Sequence, residues 1–366
     1  MLCIRADSFA PFFLPSWKLE MNYLDRAVIA LGALGLALPV EKSPVLTLLE
    51  QTADYDSSKI EDMAEALQQS AAFNAAVSQQ FTGGELPGRY IALVDRLTEI
   101  REDTIGLAGW MADGRMDLKE KLQLGWMKMR RGSAPERFAE VHATYYDLAK
   151  SVNAQITREL AIWEAYRYYR LALKTAETDA LAVIEAAKAV QDENRHTLWS
   201  VGHQLETHAG DAVTRSQLEL SQDEALRALQ AGDKAFQIVK DLADDLKNAY
   251  NTADLVYTRL RQAITIKERL AQRTADFFAT STVVYSGLSN TFTANGGLAD
   301  LGEGHDAALL SSSVRELAEV VEEYQTSCLR IVAELEDKTS RAMSEIAEAA
   351  EDGSRRFAEL VKRATA

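Results

Sequence analysis

All six prolines of this 366-residue chain, Pro11, Pro15, Pro39, Pro44, Pro87 and Pro135, lie at or before residue 135, and the 231 residues that follow contain none. Proline inside a helix removes a backbone hydrogen bond and clashes with the preceding turn, so long unbroken helices are confined to the second part of the chain. Ser133-Ala134-Pro135-Glu136 opens that part with a serine N-cap, a proline in the first turn and a glutamate three residues after the serine. Apolar residues then recur at steps of three and four through Phe138, Val141, Tyr145, Leu148, Val152, Ile156, Leu160, Trp163, Tyr166, Leu173, Ala180, Val183 and Val190.

Gly210 ends the first run, which predicts a helix over about 135–208. At 1.5 Å per residue it is roughly 110 Å long. A second run continues through Leu218, Leu229, Phe236, Leu246, Tyr257, Ile264 and Phe278, and predicts a helix over about 211–292. The glycine-dense stretch 295–304 reads as a loop, and a third helix follows over about 306–363. Each apolar stripe needs a partner, so the expected fold is all-α: an elongated, antiparallel coiled-coil bundle of three long helices over 133–366. No repeat of 20 to 50 residues marks a solenoid.

The first 132 residues predict a smaller region of short helices: a tail over 1–17, an apolar helix over 19–38, helices near 45–52 and 58–80, a turn at 83–88 and a helix to about Leu107. The longest apolar run, Ala27–Leu38, is twelve residues, short of the roughly 20 that cross a bilayer. Met21 as a start would make this run resemble a signal-peptide core, but Asp25 precedes it and no small-x-small cleavage site follows. Within the run, Gly32-Ala33-Leu34-Gly35 would permit close approach to a neighbouring backbone.

Charge narrows the function classes. With 40 Lys and Arg against 55 Asp and Glu the net charge is -15, which repels nucleic acid, so no nucleic-acid partner is expected. Cys3 and Cys328 have no metal-site or disulfide spacing, which suits a reducing cytoplasm. One stretch runs against the overall charge. Over 115–132 six cations (Arg115, Lys119, Lys121, Lys128, Arg130, Arg131) face two acids (Asp117, Glu120), a net +4, with Leu122, Leu124, Trp126, Met127 and Met129 interleaved. A basic amphipathic segment of this kind meets an anionic membrane surface or an acidic partner groove, and Lys119, Lys121, Trp126, Lys128, Arg130 and Arg131 are the candidate contact residues. Packing against the acidic long helices would use the same residues without a partner.

Glu193, His196, His203 and Glu206, spaced three, seven and three apart, share a helix face and form a candidate zinc or nickel site. Glu193-x-x-His196 is half of a di-iron motif, but no second half exists: Ala139 and Gly302 stand three residues before His142 and His305. A solvated polar face is the reading favoured here, with no cofactor. The tract Trp163, Tyr166, Arg167, Tyr168, Tyr169, Arg170 is expected to fill a wide part of the bundle core. The chain has no Gly-x-Ser-x-Gly, no His-Glu-x-x-His and no phosphate-binding lysine loop, and no catalytic residue is assigned.

From Ser133-Ala134-Pro135-Glu136-Arg137-Phe138 to the Glu/Ala-rich closing helix, and notably over ITRELAIWEAYRYYRLALKTAETDALAVIEAAKA, the layout resembles the helical proteins of bacterial toxic-anion (tellurite) resistance clusters. The resemblance implies a non-enzymatic, cytoplasmic long-helix protein and carries over no functional residue. The antiparallel helices also look like those of membrane-stress scaffolds related to the phage-shock proteins. The expectation is a scaffold that binds a protein partner or itself, or lies peripherally on the inner membrane, in envelope or toxic-ion stress. The alternative is a helical pore-forming toxin subunit that inserts the apolar 27–49 region.

Overall fold

The computed structural model describes residues 21–36, 38, 43–52, 55–81, 84–111, 134–294 and 305–365, together with 117–119, 122, 123, 126 and 129. The described residues form seven helices of eight or more residues and no strand: α1 (Tyr23–Gly32), α2 (Ser43–Gln51), α3 (Ser57–Gln80), α4 (Leu86–Met111), α5 (Ala134–Thr207), α6 (Ala212–Ala294) and α7 (His305–Thr365). This is an all-α helical bundle in which the three long helices pack on one another. Ser133, the expected cap of α5, and the 295–304 loop lie outside the described residues, as does the tail over 1–17.

The apolar helix is shorter than 19–38. Asn22 caps α1 by accepting a hydrogen bond from the Asp25 amide at 2.7 Å. The helix ends at Gly32, because Gly35 takes a left-handed φ of 81° and the amides of Leu36 and Gly35 turn back to the carbonyls of Leu31 (3.1 Å) and Gly32 (2.9 Å). That pair of bonds is a Schellman stop, which needs a residue free to adopt positive φ. Gly35 therefore serves to end a helix. A Cβ at Gly32 or Gly35 would meet nothing within 4 Å, so the expected close backbone approach is absent.

Packing divides the chain into two compact units. One comprises residues 1–81, 161–258 and 343–366, and the other 82–160 and 259–342. The proline boundary near 132 thus marks where the long helices begin without bounding a unit. The physical reason is that each stretch of long helix needs its stripe covered, and short helices supply part of that cover. In the first unit α3 lays Phe73 against Tyr166 and Tyr169 of α5, and Asn74 accepts a hydrogen bond from the Tyr166 hydroxyl. In the second, Asp103 of α4 pairs with Arg137 of α5, while Arg101 pairs with Glu322 of α7.

Within each unit the long helices run antiparallel. In the first, Arg170 and Gln191 of α5 reach Asp254 and Asp233 of α6, and Asp245 and Asp241 of α6 meet Arg356 and Arg363 of α7. In the second, Phe138 and Glu159 of α5 meet Tyr285 and Lys267 of α6. Numbers rise on one helix as they fall on the other. The buried residues Val141, Leu148, Val152, Ile162, Leu173, Val183, Leu242, Leu260, Ile264, Leu335 and Ile346 follow the three- and four-residue stripe of the sequence.

Candidate functional site

Beyond α4 the chain is helical at Leu118, Lys119, Leu122, Gln123, Trp126 and Met129. On an ideal helix, steps of four, four and three would place Leu118, Leu122, Trp126 and Met129 within an arc of about 80° at 100° per residue. These four large side chains are 79%, 67%, 57% and 82% exposed. Single exposed apolar residues are ordinary, and four at this spacing make a ridge, a candidate contact surface. Lys119, also exposed, borders the ridge one position from Leu118. Lys121, Lys128, Arg130 and Arg131 lie outside the described residues, as do Leu124 and Met127. Of the four, only Trp126 is among the expected contact residues; the four-residue steps from Leu118 to Leu122 and Trp126 were the signal available for the others.

Several charged and nucleophilic groups elsewhere in this unit have structural partners. Arg137 holds Asp103 and, at 3.5 Å, Glu99. It lines a cleft of about 350 Å³ with Arg96, Glu99, Ile100, Glu140 and Val141, where cations and acids offset each other. Glu159 and Lys267 form a buried pair with side chains 2% and 0% exposed. Burial pushes the Glu159 carboxyl above its ordinary range, and the adjacent Lys267 ammonium pulls it back only in part. The Thr274 hydroxyl lies 3.1 Å from that of Tyr324. Burial raises the Cys328 thiol, which keeps it a poor nucleophile.

No family model matches the chain, and no curated protein or solved structure matches it either.

In the other unit the histidine face is organised around an aromatic ring. Trp199, itself exposed, stacks on His203 with centroids 5.6 Å apart and lies 6.2 Å from His196. Among the described residues no group of three or more His, Cys, Asp or Glu is placed to hold a metal ion, so Glu193, His196, His203 and Glu206 are not brought together as a metal site. The aromatic tract sits where its spacing predicts. Tyr166 and Tyr169 are fully buried, Trp163 stacks on Tyr257 at 4.9 Å, and the Arg170 guanidinium lies 4.3 Å from the centre of that same Tyr257 ring. The apolar side of α1 is also buried, at Leu24, Ala27 and Leu31, as are Val45 and Leu48 of α2. No described helix is long and apolar enough to cross a membrane.

Proposed function

We propose that this chain is a non-enzymatic helical scaffold that acts by contact, and that the ridge Leu118–Leu122–Trp126–Met129 is its contact surface. The observation that carries the reading is the exposure of Leu118, Leu122, Trp126 and Met129, four large apolar side chains at steps of four, four and three, whereas the apolar stripes described in the long helices are largely buried. The resemblance of its layout to the helical proteins of toxic-anion resistance clusters is what suggests a place in envelope or toxic-ion stress. A pore-forming role draws less support. It would insert the 27–49 region, yet α1 has ten residues, about 15 Å of helix against a hydrocarbon core of about 30 Å.

Site-specific photocrosslinking in cells producing the chain tests the contact surface. A photoreactive residue at position 122 should give discrete adducts. The same residue at positions 181 and 283, where Leu181 and Val283 are exposed away from the ridge, should not. Equal yields at all three positions, or none at 122, would refute the assignment.

A further inference from the structure

We infer that the end of the α5–α6 hairpin, residues 188–235 of the first unit, is a second contact surface, and that it closes onto the same hairpin of a second copy of this chain as an antiparallel four-helix bundle. Cover is what this stretch lacks. Up to Val183 and Ala187 of α5, and from Ile238, Val239 and Leu242 of α6 onward, the apolar stripe is buried. From Lys188 to Thr207 no residue of α5 is buried, and from Ala212 to Ala231 of α6 only Ala225 is. Leu198, Leu205, Leu218 and Leu229 are half-buried. Parts of the seam are polar or bare, since Gly202 lies against the Gln222 side chain and the Asn194 amide donates to the Ala228 carbonyl. Trp199 and Leu226 meanwhile stand 67% and 42% exposed.

These two side chains share one side of the hairpin. Arg195 reaches Asp233 at 4.0 Å, and on an ideal helix Trp199 is turned about 40° from Arg195 and Leu226 about 20° from Asp233. The approach of Gly202 to Gln222 sets Trp199 and Leu226 side by side, near the middle of the uncovered length. A two-fold axis through that point lays each copy's pair on its partner's, and a tryptophan at the centre of an interface is where binding energy concentrates. Area selects the partner. About 20 residues of paired helix make a face roughly 30 Å long and 20 Å wide, about 600 Å². A single helix would cover about half of it, whereas a second hairpin covers the whole and buries about 1,200 Å² in all, the lower end of a specific interface. The symmetric pair also supplies the missing layer to both copies at once. Over 188–235 eight acids stand against five lysines and arginines, a mild mutual repulsion that salt screens.

Sedimentation equilibrium of the purified full chain over about 1–200 μM, the range in which an interface of this size associates, tests the inference. The mass should rise from one chain to two, and raising salt from about 0.05 to 0.5 M should strengthen that step. Trp199→Glu should weaken dimerisation at least about thirtyfold and Leu226→Glu about tenfold, by charging the centre of the buried face. Leu220→Glu should leave it within about twofold, because Leu220, two residues from Gln222, is turned away from α5 and from the paired face. Circular dichroism should be unchanged in all three variants, because the side chains replaced are exposed.

A chain that stays monomeric throughout that range, a dimer undiminished by Trp199→Glu, or one weakened as much by Leu220→Glu as by Trp199→Glu would each overturn the inference. Loss of the dimer at the higher salt would overturn it as well. Photocrosslinking from position 122 reports on the ridge at 118–129 alone, so the two surfaces stand or fall separately.

Discussion

Lys267→Met should cost about 3–5 kcal/mol of stability, the usual penalty for removing one partner of a buried ion pair. Methionine keeps most of the apolar stem that Lys267 places in the core but removes the ammonium from Glu159. The carboxylate then retains Gln155, whose amide donates to its Oε1 at 3.0 Å, while its Oε2 is buried without a hydrogen-bond partner. Desolvation already raises this carboxyl, and loss of the cation raises it further. A folded-state value above the unfolded one gives stability that is full below the ordinary carboxyl range and lost as pH rises through the raised value. The variant should therefore be less handicapped near pH 5 than near pH 8, with a slope of up to about 1.4 kcal/mol per pH unit.

Urea unfolding followed by circular dichroism at both pH values measures this, with hydrogen exchange over 263–270 reporting the site itself. Glu159→Leu combined with Lys267→Met should recover to within about 1 kcal/mol of the parent or exceed it, because the unpartnered Oε2 disappears with the charges. A single variant costing under about 1 kcal/mol, equally at both pH values, would refute the reasoning.

Three further outcomes follow from burial and backbone geometry. Gly202→Ala should stabilise by up to about 1 kcal/mol in thermal unfolding, since its Cβ would meet only the Gln222 side chain at 3.6 Å. Gly353→Ala should forfeit that gain, because its Cβ would lie 3.0 Å from Ser70 Oγ and 3.3 Å from Ser70 Cβ. Tyr90, Tyr166, Tyr169, Tyr285 and Tyr324 are all held well above the ordinary phenol range by burial, so stability should be full below about pH 10 and fall above it. Ultraviolet titration should then show these phenols ionising in step with unfolding, and ionisation in the folded chain would contradict their burial. Cys328, fully buried with a raised thiol, should resist maleimide until denaturant is added, and rapid native labelling would contradict its placement.

The long helices were legible because their signals are local. Three- and four-residue apolar spacing, the absence of proline after 135 and the breaks at Gly210 and 295–304 placed their ends within two residues of those observed. The basic segment was legible for the same reason: charge is a property of composition. The sequence also contained the stop at Gly35, but a run of aliphatic residues masked it, and only the bonds from Leu36 and Gly35 to Leu31 and Gly32 show the helix ending there.

Spacing predicts that a residue faces a partner without saying which partner. Glu159 and Lys267 lie 108 positions apart, each looking like an ordinary surface charge, and only the antiparallel register of α5 on α6 buries them together. Covering of long helices by α3 and α4 is likewise a matter of which stripes meet in space, so the two packing units cut across the proline boundary. The ridge at 118–129 belongs to both levels. Its amphipathic pattern is written in the sequence, but whether Leu122, Trp126 and Met129 pack inward or stand in solvent depends on what the rest of the chain brings against them, and the fold leaves them exposed.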